Sequence, residues 1–324
     1  MKLLSIVCKT SLVWLGTLSL LVSADISYSS STVQKLRDTR DCSKCKLEKA
    51  DLKNLYLRNA FLEEADLREA ELNNADLRNA MLASADLRKA NLANANLKGA
   101  NLRGANFEQT SLEKVLIDEQ TQIDDKWFLV WEIANQLNER RNLSRVDLEA
   151  ANFQGINLNG YNMAKANLKR VNFNNAILSN ISFNSTELHN ANFGFSELEN
   201  VDFESAILQE ANLNNVELPE TNLAKANLQK ANLRNSNLRS SYLVDTELKE
   251  ADLSYANLRE ADLRNANLKD ANLTGTTLVN ADLRGANLEG ANLDDAYLRI
   301  AGFNDIKFCG ATMPDGNLYR CGGQ

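Results

Sequence analysis

The sequence predicts an all-β solenoid interrupted by one amphipathic α-helix, and three observations carry that reading. A large apolar residue, usually Leu, recurs every five positions through most of the 324 residues. A small apolar residue stands two positions before it, with Asp or Asn between and polar residues after. The composition is rich in Leu, Ala and Asn, with two prolines and few aromatics, which is unusual for a mixed globular enzyme but sufficient for a continuous core.

Residues 1–24 read as a signal peptide. Lys2 and Lys9 precede an apolar run from Ser11 to Val22, and Val22-Ser23-Ala24 is a small-residue cleavage site. A retained membrane anchor is the alternative, but the run is short for a bilayer and no stable span is expected after cleavage. Cys8 follows Val7, which does not suit a lipoprotein site. Cleavage after Ala24 takes the formal charge from -7 to -9. A mildly acidic chain of this kind argues against a nucleic-acid partner.

Residues 25–41 form a linker and N-terminal cap: a Ser-rich stretch, Ser27 to Ser31, precedes a short capping helix over Val33 to Arg37. The mature chain keeps Cys42, Cys45, Cys309 and Cys321 as disulfide candidates in a compartment where disulfides persist. If the repeats stack as a rod, the two pairs lie at opposite ends, farther apart than the ~7 Å Cα separation a bridge tolerates. That leaves Cys42 with Cys45 and Cys309 with Cys321. A zinc site on Cys42 and Cys45 is the metal alternative, but no second ligand pair is nearby in the sequence, so no metal is assigned.

The first array spans 42–117, with centres at Leu47, Leu52, Leu57 and onward through Phe107, Leu112 and Ile117. A period of five matches neither the helical 3.6 nor the strand repeat of two, so each unit is a short extended piece followed by a turn. Apolar residues two apart point the same way only in extended chain. Residues 118–141 are read as an inserted helix, because Ile123, Trp127, Val130, Trp131, Ala134 and Leu137 fall at three- and four-residue spacings. Asp124 is the expected N-cap. This helix either covers the coil or offers Trp127, Val130 and Trp131 to a partner. The second array, 142–308, shifts to centres ending in 3 or 8, with the same phase continuing to Met313 and Leu318. Residues 309–324 form a C-terminal cap, closing coil ends whose unpaired backbone would otherwise invite assembly.

The A-D/N-L-x-x unit resembles the pentapeptide-repeat family over essentially all of 42–318 apart from the helix. The resemblance implies a right-handed quadrilateral β-helix with four repeats per coil. On that basis about 51 repeats make roughly 13 coils and a rod of roughly 60 Å at about 4.8 Å per coil. A cysteine-containing start and an ATMPDG tail resemble those of secreted members.

Function leaves fewer marks. His189 is the only histidine, no glycine-rich phosphate loop is present, and no nucleophile sits beside a base, so neither catalysis nor a cofactor is expected. Asn142-Leu-Ser144, Asn184-Ser-Thr186 and Asn272-Leu-Thr274 match a glycosylation acceptor, but a repeat this rich in Asn generates the pattern by chance. From Val171 to Ala224 there is no Lys or Arg, while eight acids occur: Glu187, Glu197, Glu199, Asp202, Glu204, Glu210, Glu217 and Glu220. Twenty residues per coil makes these a girdle that either docks a basic surface, holds cations or is solvated wall. Inside it, Phe173 with Phe193 and Phe183 with Phe203 stack on opposite faces. Asn152, Asn172, Asn192, Asn212, Asn232, Asn272 and Asn292 align as a column broken by Asp252, with Phe195 and Tyr255 projecting beside it. The column is either an amide surface for sugar or protein, or a ladder that satisfies its own turns. The reading is a noncatalytic exported scaffold, in periplasm or thylakoid lumen, acting on an unidentified protein partner. The resemblance also implies a DNA-mimicking inhibitor as an alternative, since some members inhibit type II topoisomerases; a purely architectural role is the third.

Overall fold

The computed structural model describes residues 31–299 and 305–321; the signal-peptide reading lies outside them. The chain divides into two compact units, Met1–Asp125 and Lys126–Gln324. In both, a single residue of each repeat pairs in parallel with the residue one coil on, as Asp76 does with Asn96 and Asn192 with Asn212. The partners are mostly twenty residues apart and four turns intervene, so each coil has four sides. No extended strand forms among the described residues, because a turn follows every bridged residue.

The five-residue unit is explained by where its five backbone N–H groups go. In Ala75-Asp76-Leu77-Arg78-Asn79, Ala75 N–H donates to Leu72 O (3.0 Å) and closes the preceding turn. Asp76 N–H donates backwards to Leu55 O (2.9 Å), and Leu77 and Asn79 donate forwards to Asn96 O (2.8 Å) and Lys98 O (3.0 Å). The remaining donor, Arg78 N–H, is taken by the Asp76 side chain (Oδ1, 3.4 Å). Asp and Asn dominate that position because their short oxygen reaches the N–H two residues on.

The turns have an i to i+3 bond with positive φ at the third residue, +57° at Lys49 and +59° at Asn54, as a type II turn requires. Asn tolerates this region; an aromatic does not favour it. Phe195 (φ +59°) and Tyr255 (φ +60°) nevertheless occupy it. Leu or Phe at the centre and Ala two before it are buried almost without exception. Where Ala is replaced by Thr, the hydroxyl in most cases donates across to the previous coil, as Thr110 does to Leu87 O (2.6 Å) and Thr186 to Met163 O (2.9 Å), whereas Thr221 bonds to Pro219 O (3.4 Å) in its own turn. Ser instead bonds within its own turn, Ser236 to Leu233 O (2.6 Å). Either way the buried hydroxyl is satisfied.

In the first unit, helix α1 (31–39) anchors through fully buried Leu36, longer than the expected 33–37. The coil does not stop at 117. Asn101 pairs with Gln122, one residue later than the period demands. The extra residue is absorbed at Asp118–Thr121, where the Asp118 carboxylate accepts from Gly99 N–H (2.9 Å), Gln120 N–H (3.2 Å) and Thr121 N–H (3.1 Å). Desolvation opposes ionisation of Asp118, but these bonds outweigh it and hold its carboxyl below the usual range. The phase change therefore precedes the helix. Helix α2, Asp125–Ala134, is much shorter than the 118–141 segment. Asp124, the expected N-cap, accepts from Gly104 N–H (3.2 Å).

In the second unit, bridges run from Asn142 to Thr312, so the coil continues four residues beyond the expected boundary at 308. Leu318 is not a repeat centre: it pairs antiparallel with Thr312 and is exposed, because the chain reverses through a hairpin at Pro314 to Gly316.

The DLR units set Asp and Arg two apart on one side of extended chain. Arg68, Arg88 and Arg284 each grip the Asp two residues before through Nε and Nη2 at 2.6–2.9 Å, a fork geometry that strengthens charged bonds. These bonds hold the carboxyls of Asp66, Asp86 and Asp282 below their ordinary value of 3.8. A depressed carboxyl contributes stability that is present above its unfolded pKa and is lost as pH falls through the folded one. Urea denaturation from pH 6 down to pH 2 should therefore show stability falling below about pH 4. The slope should flatten in the Arg68→Gln, Arg88→Gln, Arg284→Gln triple variant, and an unchanged slope would show that the forks do not contribute.

Candidate functional site

The eight acids of the cation-free stretch do not form an even belt. Four of them, Glu197, Glu199, Glu217 and Glu220, line one groove of about 800 Å³ in the second unit, together with Phe195 and Pro219. The coil geometry brings them together: the backbones of Glu197 and Glu217 bridge in parallel, and Glu199 and Glu220 lie in the turns that follow. Phe195 stands on the groove's corner, 59 % exposed, held outward by its left-handed backbone.

The carboxylates of the groove lack cationic partners among the described residues. Glu217 accepts from Asn237 Nδ2 (2.6 Å). The other four acids are placed elsewhere. Glu187 pairs with Lys169 at 2.5 Å, whose ammonium it holds above the usual lysine range. Asp202 accepts from Asn222 Nδ2 (3.0 Å) and Glu204 from Asn184 Nδ2 (3.4 Å). Glu210 is not among the residues that line the groove. Outside the stretch the acids of the walls are extensively paired, as in Arg170 with Glu149 (2.9 Å) and Arg239 with Glu260 (3.3 Å). The groove is thus a local concentration of uncompensated negative charge, with an aromatic beside it.

Beneath it the core is distinct. Phe183 and Phe203 stack at 5.2 Å, Phe173 and Phe193 lie one over the other at 5.2 Å with their rings tilted by 31°, and the two columns meet edge-on, with Phe183 5.8 Å and Phe203 5.7 Å from Phe193.

The Asn column is a ladder. Asn172 donates to Asn152 (3.1 Å), Asn192 to Asn172 (3.2 Å), Asn212 to Asn192 (2.8 Å), Asn232 to Asn212 (3.1 Å) and Asn272 to Asp252 (3.0 Å). Asn292 donates to Thr274 Oγ1 (3.0 Å). The same oxygens also take turn N–H groups, as Asn192 Oδ1 does from Gly194 (3.2 Å). These amides are largely committed to the fold. Tyr255 is exposed beside them, with the Arg234 guanidinium over its ring at 5.4 Å.

Of the helix residues, Trp127 and Val130 are buried and Trp131 is half-buried, whereas Phe128 is exposed. Cys42 is joined to Cys45 and Cys309 to Cys321, with Cα separations of 5.1 and 5.0 Å. His189 is half-buried in a turn, its Nδ1 without a partner. Thr186 of the Asn184 acceptor pattern is fully buried, so that pattern is not presented to solvent as a unit. No group of His, Cys, Asp and Glu among the described residues could hold a metal ion, and no helix among them is long and apolar enough to cross a membrane.

Pro219 was not singled out by sequence. The signal was available, since it is one of two prolines and falls one coil after Glu199.

The family model for pentapeptide repeats matches in eight copies within 45–116, 142–204 and 206–315, more than half of the chain. The chain belongs to the pentapeptide repeat family. Members of this family fold as right-handed quadrilateral β-helices. Among solved structures, this pentapeptide repeat protein is similar to HetL, a pentapeptide repeat protein involved in heterocyst differentiation regulation from the cyanobacterium Nostoc. Identity is 24 %, covering 87 % of this chain and 94 % of that one, with a TM-score of 0.34. It is also similar to QnrB1, a plasmid-mediated fluoroquinolone resistance protein, at 14 % identity over 72 % and 90 % of the two chains, with a TM-score of 0.30. A pentapeptide repeat protein of the Arabidopsis thaliana thylakoid lumen matches at 29 % identity over 35 % and 68 %, with a TM-score of 0.16. No protein with a curated description matches the sequence.

Proposed function

We propose that this pentapeptide repeat protein is a noncatalytic, exported scaffold that docks a basic segment of a partner protein in the groove at Glu197, Glu199, Glu217 and Glu220. One observation carries the reading: half the acids of a cation-free stretch converge on one groove without a cationic partner among the described residues, while many acids outside the stretch are paired with Arg or Lys. Clustered carboxylates facing one cleft focus a negative potential that raises both the on-rate and the selectivity for cationic partners. Phe195 supplies an exposed aromatic at the rim, a residue type enriched at binding hot spots. The paired cysteines support export to an oxidising compartment, periplasm or thylakoid lumen. Unpaired acids gathered in one groove favour a localised basic segment over mimicry of a DNA duplex, whose phosphates extend along both strands.

The test is a crosslinking pull-down from host extract with the mature chain, the Glu197→Gln, Glu199→Gln, Glu217→Gln, Glu220→Gln variant, and a control in which Glu187, Asp202, Glu204 and Glu210 become Gln or Asn. All three should fold alike by circular dichroism. A partner kept by the native chain and the control but lost by the groove variant is the expected result. Equal capture by all three, or equal loss in both variants, would refute groove docking.

A further inference from the structure

A second hollow, of about 430 Å³, opens on the same wall of the second unit and has the opposite chemistry. It is lined by Gln136, Asn138, Arg141, Asn157, Asn159, Gly160 and Tyr161, with no acid among them. Its floor is built: Tyr161 is buried and its hydroxyl donates to Asn138 O (3.2 Å), clamping the segment after α2 onto the coil. Asn138 is itself 8 % exposed.

The orientation of the amides follows from their backbone partners. Arg140 N–H donates to Asn138 Oδ1 (2.8 Å) and Asn159 N–H to Asn157 Oδ1 (3.0 Å), and an N–H can only be met by the oxygen end of an amide. Asn159 Oδ1 accepts from Asn180 Nδ2 (3.2 Å). The oxygen ends are therefore engaged, while the Nδ2 groups of Asn138, Asn157 and Asn159 make no hydrogen bond among the described residues. For Asn157 the reason is topological. Further along the unit, as at Asn172, an asparagine in this position donates to the coil before it, but one coil before Asn157 the chain is at Leu137, in the segment after α2. The ladder's first donor has no rung to receive it.

Above these donors the Arg141 guanidinium stacks over the Tyr161 ring at 4.7 Å. One of its nitrogens reaches Asn159 O at 3.5 Å. Stacking fixes the guanidinium plane and leaves its edge open for a planar oxyanion. The amide donor of Asn138, a residue otherwise largely buried, two further donors from exposed Asn157 and Asn159 and an oriented guanidinium make a cup that offers hydrogens and asks for oxygens.

We propose that this cup is a binding site for the carboxylate or phosphate group of a small ligand. It goes beyond groove docking, from which it differs in position and in the sign of the charge it selects. It lies two coils from Glu197 in the column Asn157, Ile177, Glu197.

The test measures saturable binding of inorganic phosphate, by phosphorus NMR line width, and of citrate, by calorimetry, to the full mature chain at fixed ionic strength. The variants are Arg141→Gln, Asn157→Asp and, as a remote charge control, Lys225→Gln. Saturation by at least one probe is expected, with affinity roughly tenfold or more weaker in Arg141→Gln, as loss of a charged hydrogen bond implies. Asn157→Asp, which replaces a donor by a negative charge and keeps the turn oxygen, should weaken it similarly and serves if Arg141→Gln fails to fold. Lys225→Gln should bind as the native chain does. Saturation by phosphate alone assigns a phosphate ligand, and by citrate alone a carboxylate. Lack of saturation by both probes, unchanged affinity in the folded cup variants, or equal weakening in Lys225→Gln overturns the site.

Discussion

Phe193→Ala is expected to cost about 3–5 kcal/mol of unfolding free energy, the range for truncating a fully buried aromatic. Phe193 is wholly buried and sits at the crossing of both stacks, with ring centroids of Phe173, Phe183 and Phe203 within 5.8 Å. The cavity cannot collapse easily, because each coil is pinned by backbone bonds to the coils before and after it. Phe193→Leu should cost less than about 1.5 kcal/mol, since leucine fills the same position one coil on at Leu213. Urea denaturation gives both values. Hydrogen exchange tests the more specific claim that damage stays local, because a solenoid is stabilised by nearest neighbours. Amides of the coils holding Phe173, Phe193 and Leu213 should lose protection first, while those around Leu263 and Leu283 keep it. Uniform loss across the unit would mean that it unfolds as one block.

Removing the Cys309–Cys321 disulfide, by changing both cysteines to Ser, should destabilise the protein by about 3 kcal/mol, and removing Cys42–Cys45 by about 1.5–2 kcal/mol. The difference follows from loop length, twelve residues against three in sequence separation, since a longer loop loses more chain entropy when closed. The C-terminal hairpin has other support, with Gly310 N–H donating to Tyr319 O (2.9 Å), Tyr319 N–H to Ala311 O (2.7 Å) and the Tyr319 ring against Phe308. The local consequence should be fraying of that hairpin, read as earlier proteolysis after Phe308. A larger loss from the N-terminal pair would show that the entropy argument does not govern here.

The coil was legible because every repeat solves the same problem. Buried Leu and Ala, the Asp or Asn that takes a turn N–H, and the pairing of residues twenty apart all repeat with the period. The stacking of Phe173 on Phe193 and Phe183 on Phe203 could be read the same way, by counting. The departures lie where the period breaks. The extra residue near Asp118 looked like part of a helix, because a shift of phase fixes that an insertion exists but not on which side of Trp127 it falls. Tertiary bonds decided it, through the Asp118 carboxylate and the pairing of Gln122. Leu318 kept the phase yet left the coil, since Pro314 and Gly316 turn the chain back. The acids were visible as a run along the chain, but their concentration on one groove depends on wall assignment as well as position. The cup could not be found from residue types alone: it depends on a ladder donor being first in its column.

A coil of four five-residue sides has a consequence for how such a surface can change. Inserting or deleting five residues leaves every leucine inward, but it advances everything downstream by one side. Inserting or deleting twenty leaves both the core and the sides unaltered. Asn157 and Glu197 share a wall because they are forty residues apart in unbroken phase. A five-residue deletion between them would preserve the interior while carrying Glu197 around to the adjacent face. Lineages of this protein can therefore alter the combination of surface patches by indels in steps of five, with hydrophobic packing indifferent to which combination results.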